Sequence, residues 1–141
     1  MLFRSDKDIF QLVNKKIKVY NLKKGLSLTQ IVDENVIKEQ YNLDPEDFID
    51  LKALAGDPSD NIPGVPGIGT KTATDLIQKF DTLENLYISL ESKSPEIEQI
   101  KPRIQNLLLE HKQQAFLSKR LATIDKNTPI DFDLAKTAFG D

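Results

Sequence analysis

Seven residues near the middle of this 141-residue chain, Pro63-Gly64-Val65-Pro66-Gly67-Ile68-Gly69, cannot form the interior of a helix or a strand. Glycine supplies positive φ and lets backbones approach closely, while proline fixes φ and removes a donor, so the segment must be a compact corner. Both flanks are helical in pattern. Upstream, Asp44-Pro45 supplies an expected N-cap and N1 proline, Phe48, Leu51, Leu54 and Ala55 share one face, and Gly56 stops the run. Downstream, Thr70 is the expected N-cap of a helix with Ala73, Leu76, Ile77 and Phe80 on its apolar face. The spacing therefore predicts two helices joined by a tight corner over about residues 44–80, with Ile68 plugged between them.

The rest of the chain continues the helical pattern. Asp81 and Glu84 resemble a capping box for a helix carrying Leu83, Leu86, Tyr87 and Leu90. Ser94-Pro95 starts a further stretch, Pro102 kinks it or begins the next, and Ile104 to Leu121 is one long amphipathic run with His111 inside it. At the front, Leu2-Phe3-Arg4 is a strand candidate. A helix is expected from Asp6, with Ile9, Phe10, Leu12 and Val13 as its apolar side. Ile17 to Tyr20 alternates as a strand, Asn21 to Gly25 turns, and Leu26 to Leu28 is the expected return. Val32 to Tyr41 reads as a helix, and Pro129 to Phe132 allows a short edge strand. The fold class is mainly α with a few short strands at the N-terminus.

Chemistry narrows the function classes. There is no cysteine, so neither a disulfide framework nor a thiolate metal site exists, and one histidine excludes a His-rich zinc cluster. No apolar run is long enough to span a bilayer, and the N-terminus lacks the basic-then-apolar order of a signal peptide. A cytoplasmic chain without membrane contact is the expectation. A net charge of -3 neither demands nor excludes a nucleic-acid partner, because a local basic patch can sit on an acidic protein.

Two features carry specific chemistry. The amides that open the helix after Gly69 carry partial positive charge, and Lys71 adds a full one, making an anion site that can take a phosphate without touching a base. The bland alternative is a corner whose glycines serve packing alone. Asp57 and Asp60, three apart, share one side of a helical turn, and Asp6 and Asp8, two apart, are aimed together by an extended or turning backbone. Four carboxylates without histidine or cysteine form a hard-oxygen set suited to Mg²⁺ or Mn²⁺. Two such ions at about 3.5–4 Å can activate a water and stabilise a leaving oxygen in phosphodiester cleavage. Taken singly, either acid pair also fits solvated surface residues or caps.

"SDKDIFQLV", followed some fifty residues on by "LKALAGDPSDNIPGVPGIGTKTATDLIQKF", strongly resembles the 5'-nuclease family. That family takes in the 5'-3' exonuclease domain at the front of bacterial DNA polymerase I, flap endonucleases and phage 5'-exonucleases. The likeness runs from about Leu2 to about Asp133. It implies an enzyme of replication and repair that cuts flapped or nicked DNA and RNA primers with divalent metals. By the same resemblance Asp6 and Asp8 match the "DKD" acids and Asp57 and Asp60 those of the "GD-x-SDN" motif, all four as metal-site residues. Gly64, Val65, Gly67, Ile68, Gly69, Thr70 and Lys71 fall in the helix-hairpin-helix segment that binds duplex backbone, where K⁺ held by carbonyls is an implied extra ligand. Pro58 departs mildly, since many relatives carry an acid or a serine there.

Family members also place about half of their nuclease domain before the "DKD" strand, including further metal-binding acids. The chain is therefore expected to be the C-terminal half of a 5'-nuclease domain, with a polymerase following if the parent is polymerase I. Residues 1–30 would be a remnant of the α/β nuclease core and residues 31–141 a helical DNA-binding subdomain. Two readings follow: part of a metal-dependent nuclease that is inactive alone, or a helix-hairpin-helix module that grips duplex DNA and catalyses nothing. Lys15, Lys16, Lys18, Lys23, Lys24, Lys119 and Arg120 are open between DNA contact and solvated surface, and Tyr20, Tyr41 and Tyr87 are spaced as core or boundary aromatics.

Overall fold

A computed structural model describes residues 7–22 and 29–137. The strand candidate Leu2-Phe3-Arg4, the acid Asp6, the turn lysines Lys23 and Lys24 and the return strand Leu26 to Leu28 lie outside the described residues. The chain opens with a 3-10 helix, Lys7–Leu12, where a longer helix is expected; Phe10 and Val13 are buried and Ile9 is exposed. Strand β1 (Val19–Leu22) pairs antiparallel with β2 (Thr29–Val32), in the register Val19↔Val32 and Tyr20↔Ile31. The period-two alternation holds: Val19, Asn21 and Val32 face inward, while Tyr20 and Ile31 face out. Val32 thus belongs to a strand, and the helix expected from it begins after Asp33. The Asp33 carboxylate accepts from the Val36 N–H at 3.1 Å to cap α1 (Glu34–Tyr41).

Helix α2 (Asp47–Ala55) starts two residues after Pro45. The Asp44 N–H donates to the Asp47 carboxylate at 2.7 Å, closing a turn before the helix rather than opening it. Phe48 stacks edge-on against Phe10 and Tyr41, with ring centroids 5.5 and 5.3 Å away, so α2, α1 and the 3-10 helix share one aromatic cluster. Gly56 ends α2 at φ 74, and its N–H donates to the Lys52 carbonyl at 2.9 Å. Helix α3 (Thr70–Phe80) buries Ala73, Leu76, Ile77 and Phe80, as its spacing predicts, but its N-cap is Gly69 and Thr70 is the first helical residue.

Helix α4 (Leu83–Ser92) is capped by Thr82, whose hydroxyl accepts from the Asn85 N–H at 3.1 Å. Asp81 is not available for that role, because at φ 65 it closes the C-terminus of α3. Pro95 opens the single turn α5 (Pro95–Glu98), and Pro102 opens α6 (Pro102–Glu110). The expected continuous run to Leu121 is broken at His111 (φ -107, ψ 23), which ends α6 and caps α7 (Lys112–Ala122). That break turns α7 so that its face Ala115, Ser118 and Ala122 packs along α2. Residues 129–132 form no strand; Ile130 and Phe132 stand exposed and meet no ladder. A second 3-10 helix, Leu134–Thr137, ends the described chain. No helix among the described residues is long and apolar enough to cross a membrane.

Candidate metal centre and phosphate-binding hairpin

The loop after Gly56 folds on itself. Asp57 and Ile62 exchange backbone hydrogen bonds, each 2.9 Å, while Ser59 donates its N–H and hydroxyl to the Asp57 carboxylate at 2.9 and 2.5 Å. This turn, closed by a bridge between Asp57 and Ile62 rather than wound as the expected helical turn, still brings Asp57 and Asp60 into one cluster. Asp8 reaches them from the 3-10 helix. That helix is fixed by Phe10 in the core and by Gln11, whose buried amide donates to the Ala122 carbonyl at 3.0 Å and accepts from the Ile124 N–H at 2.9 Å. One oxygen from each of Asp8, Asp57 and Asp60 lies within 4.8 Å of the others. Three of the four acids singled out from sequence therefore converge across about fifty residues of chain.

Sequence reasoning missed the group at their centre. Lys52, in the last turn of α2, directs its ammonium into the cluster: it pairs with Asp8, lies 2.8 Å from Asp57 and 3.5 Å from Asp60, and leaves its side chain only 12% exposed. Hydrogen bonds from Lys52, and then from Ser59, hold the Asp57 carboxyl down to about 2, below the usual carboxylate range. The set is all oxygen, partly open and in excess negative charge over one ammonium, which fits a divalent cation such as Mg²⁺ or Mn²⁺ and no soft metal. A basic residue four positions before Gly56 is the only sequence signal for Lys52, and a solvated helix end explains that signal equally well.

The hairpin begins three residues after Asp60. A Cβ on Gly64 would stand 2.2 Å from the Gly56 nitrogen and 2.6 Å from its Cα, so the two glycines are in backbone-to-backbone contact. Helix α7 grips the Gly64 peptide: its N–H donates to the fully buried Ser118 hydroxyl at 3.0 Å, and its carbonyl accepts from the Gln114 amide at 2.8 Å. Val65 and Ile68 are buried, and the Val65 N–H donates to the Leu54 carbonyl at 2.8 Å. Gly67 (φ 81), Gly69, Thr70 and Lys71 stand exposed at the start of α3. Around Gly69 a Cβ would meet nothing within 4 Å. Seven predicted binding residues thus divide into three that pack the corner and four that face outward. Ser118 and Gln114 carried no sequence signal, since buried polar groups on a helix face look like any surface polar residue.

Other candidates disperse. Lys119 is half-buried between Asp50 at 2.7 Å and Glu84 at 2.6 Å, while the Asp50 carboxylate also accepts from the Leu83 N–H. Burial alone would lower the Lys119 pKa, but the hydrogen bonds that Lys119 donates to Asp50 and Glu84 outweigh it and raise it. Lys119 is therefore a structural tie between α7, α2 and α4. Tyr87 is buried with its hydroxyl on the Leu108 carbonyl, and burial pushes it up to about 12. Lys15, Lys16 and Lys18 are exposed on the connection before β1, and Lys18 lies 3.8 Å from Asp33.

The family model of the 5'-3' exonuclease, C-terminal SAM fold, matches residues 43–141. DNA polymerase I of Bacillus caldotenax is 39% identical over 134 residues, 95% of this chain and 15% of that protein. The 5'-3' exonuclease of Buchnera aphidicola subsp. Acyrthosiphon pisum is 42% identical over 135 residues, 95% of this chain and 46% of that one. This chain thus spans less than half the length of these relatives. Among solved structures, T5 5'-exonuclease with bound zinc superposes with a TM-score of 0.64 at 25% identity, over 83% of this chain and 40% of that chain. The T5 flap endonuclease in a pseudo-enzyme-product complex with DNA and metal ions gives 0.61 at 25% identity, with the same coverage. The chain belongs to the 5'-3' exonuclease, C-terminal SAM fold family.

Proposed function

We propose that this chain is the C-terminal, DNA-gripping part of a metal-dependent 5'-3' exonuclease or flap endonuclease of bacterial replication and repair. The observation that carries the reading is the coupling of the two features through one crossing. Asp57 follows Gly56 directly, and Gly64 of the hairpin rests on Gly56, so a phosphate held at Gly67 to Lys71 keeps a set position relative to Asp8, Asp57 and Asp60. In this reading the three carboxylates, with Asp6, contribute ligands to a site for Mg²⁺ or Mn²⁺ that residues of a fuller nuclease domain complete. A bound ion of that kind supplies an activated water and a counter-charge for the leaving oxygen. The chain's own residues orient: Ser59 and Lys52 hold Asp57, Gln11 holds the segment carrying Asp8, and Ser118 and Gln114 hold the hairpin.

The exposed α3 N-terminus and Lys71 bind a backbone phosphate without reading sequence, which suits nicked or flapped duplex. K⁺ on hairpin carbonyls belongs to the same reading and would show as tighter duplex binding in K⁺ than in Na⁺. Residues 1–30 then extend a nuclease core, and residues 31–141 form the DNA-binding subdomain. A polymerase domain in the parent chain and a place in the bacterial cytoplasm go with it. A second reading, a hairpin module without catalysis, is favoured by one observation: among the described residues, the hydrogen bonds that tie the hairpin to the helices run to Leu54 of α2 and to Ser118 and Gln114 of α7.

Binding of a fluorescent nicked duplex across a salt series tests the grip, with cleavage in Mg²⁺ and Mn²⁺ run in parallel. Affinity should fall steeply with salt, with a log–log slope near -0.9 per phosphate contacted, and Lys71→Glu should weaken binding and flatten the slope by about one such unit. Binding indifferent to salt and to Lys71 would sink the phosphate-grip assignment. Cleavage lost on Asp57→Ala would show that this chain holds a working metal site, and absence of cleavage would leave the module reading.

A further inference from the structure

We infer that Lys52 is a built-in counter-cation that occupies the carboxylate cluster when no metal is bound and is expelled when a divalent ion enters. The inference rests on the metal reading above and adds a conformational device to it.

Three carboxylates drawn within 4.8 Å of one another repel, and while Ser59 hydrogen-bonds Asp57, only a cation supplies opposite charge to all three. Lys52 provides one: its ammonium contacts Asp8 and lies 2.8 Å from Asp57 and 3.5 Å from Asp60. The ammonium therefore sits where a metal held by the same three oxygens would have to sit. Oxygen ligands approach Mg²⁺ at about 2.0–2.1 Å, which leaves no room for an ammonium on the same carboxylates and sets two cations against each other. The two occupants are alternatives. A lysine suits the task better than an arginine, because its charge is a compact point on a flexible stem that can swing aside without breaking a planar fork. The stem starts from the last turn of α2, one turn before Gly56, so expulsion needs only side-chain rotation while the helix and the hairpin stay in place. Metal occupancy is thereby coupled to the exposure of one positive charge beside the hairpin.

Two measurements on the purified chain test this. In the first, Mn²⁺ binding by electron paramagnetic resonance and thermal unfolding in EDTA are compared for the wild type, Lys52→Met and Lys52→Gln. Both variants should bind Mn²⁺ tighter by about ten- to hundredfold, the equivalent of releasing one charge-assisted hydrogen bond. Both should also melt at lower temperature in EDTA and regain the loss with Mn²⁺. A variant folded only with Mn²⁺ supports the exchange too, since the metal then does the work of the missing ammonium. The second uses unmutated protein: reductive methylation read by mass spectrometry should find Lys52 protected in EDTA and reactive in saturating Mg²⁺. Unchanged or weaker Mn²⁺ binding in both variants, or Lys52 labelling indifferent to saturating metal, overturns the exchange while leaving the metal site standing. No Mn²⁺ binding by any of the three proteins overturns the exchange in this chain and leaves the carboxylates dependent on a fuller nuclease domain to hold a metal.

Discussion

Two stretches of backbone meet at Gly56 and are held by opposite means. On one side, Asp57 and Asp60 are gathered by charge: a single lysine and a serine position carboxylates that are between one fifth and one half exposed. On the other, Gly64 to Ile68 are held by shape, through glycine contact, two buried apolar side chains and a serine and a glutamine on the Gly64 peptide. The difference separates an exchangeable site from a fixed one. An electrostatically held cluster answers to pH, salt and cations, whereas a sterically held corner answers only to changes in volume or to a lost buried hydrogen bond.

The largest expected effect is on the fixed side. Gly64→Ala places a methyl 2.2–2.7 Å from backbone atoms of Ala55 and Gly56 and forces an L side chain to φ 62. Neither the clash nor the dihedral can relax by moving a side chain, so about 3–5 kcal/mol of stability should disappear. Urea unfolding would read it, and a loss below about 1 kcal/mol would mean the corner yields and the contrast is false. Ser118→Ala comes next. It strands the buried Gly64 N–H and should cost about 1–3 kcal/mol, weakening duplex binding while leaving Mn²⁺ affinity unchanged. A parallel loss of Mn²⁺ affinity would show that the two sides are not separable.

How legible this was in the sequence depends on how far apart the partners are. Helices α3 and α4 declare their buried faces through local periodicity, and Gly56 declares a stop. Caps shift by one residue, to Gly69 and Thr82, and at Thr82 the reason is that Asp81 closes α3 and so cannot open α4. Asp57 and Asp60 are legible from a three-residue spacing, but their meeting with Asp8 is implied only by family resemblance. Ser118 to Gly64 spans 54 residues and Gln11 to Ala122 spans 111, and no local pattern distinguishes such a buried polar group from a solvated one. Lys52 escapes for the same reason: nothing in its neighbours announces the acids it will meet.

On the electrostatic side the expected effect is smaller and depends on pH. With its folded pKa near 2 against an ordinary 3.8, Asp57 contributes stability fully present above about pH 4. That stability is lost as pH falls toward 2, because the unfolded chain takes up the proton first. In EDTA the acid limb of the wild type should therefore fall by about 1–2 kcal/mol more than that of Asp57→Asn, the range allowing for solvent screening. Ser118→Ala should lower stability equally at pH 3 and pH 7, since neither side chain that hydrogen-bonds Gly64, Ser118 or Gln114, titrates. Identical acid limbs for wild type and Asp57→Asn would remove the electrostatic account of that side.

The smallest effect on stability is the most informative about function. Gly69 sits at φ -90, a value open to any residue, and a Cβ there would meet nothing within 4 Å. Alanine is a poorer N-cap than glycine by about 0.5–1 kcal/mol, yet it restricts the unfolded chain by a comparable amount, so Gly69→Ala should leave stability within about 0.5 kcal/mol. If the exposed opening of α3 serves only to turn the chain, duplex binding will be as indifferent as folding. If a phosphate oxygen approaches the amides of Gly69 to Lys71, the added methyl stands in its path, and affinity should drop about tenfold with the melting temperature unmoved. A substitution that is neutral to the fold and harmful to binding would place the glycine in the ligand's path rather than in the packing, which sets Gly69 apart from Gly64 five residues earlier.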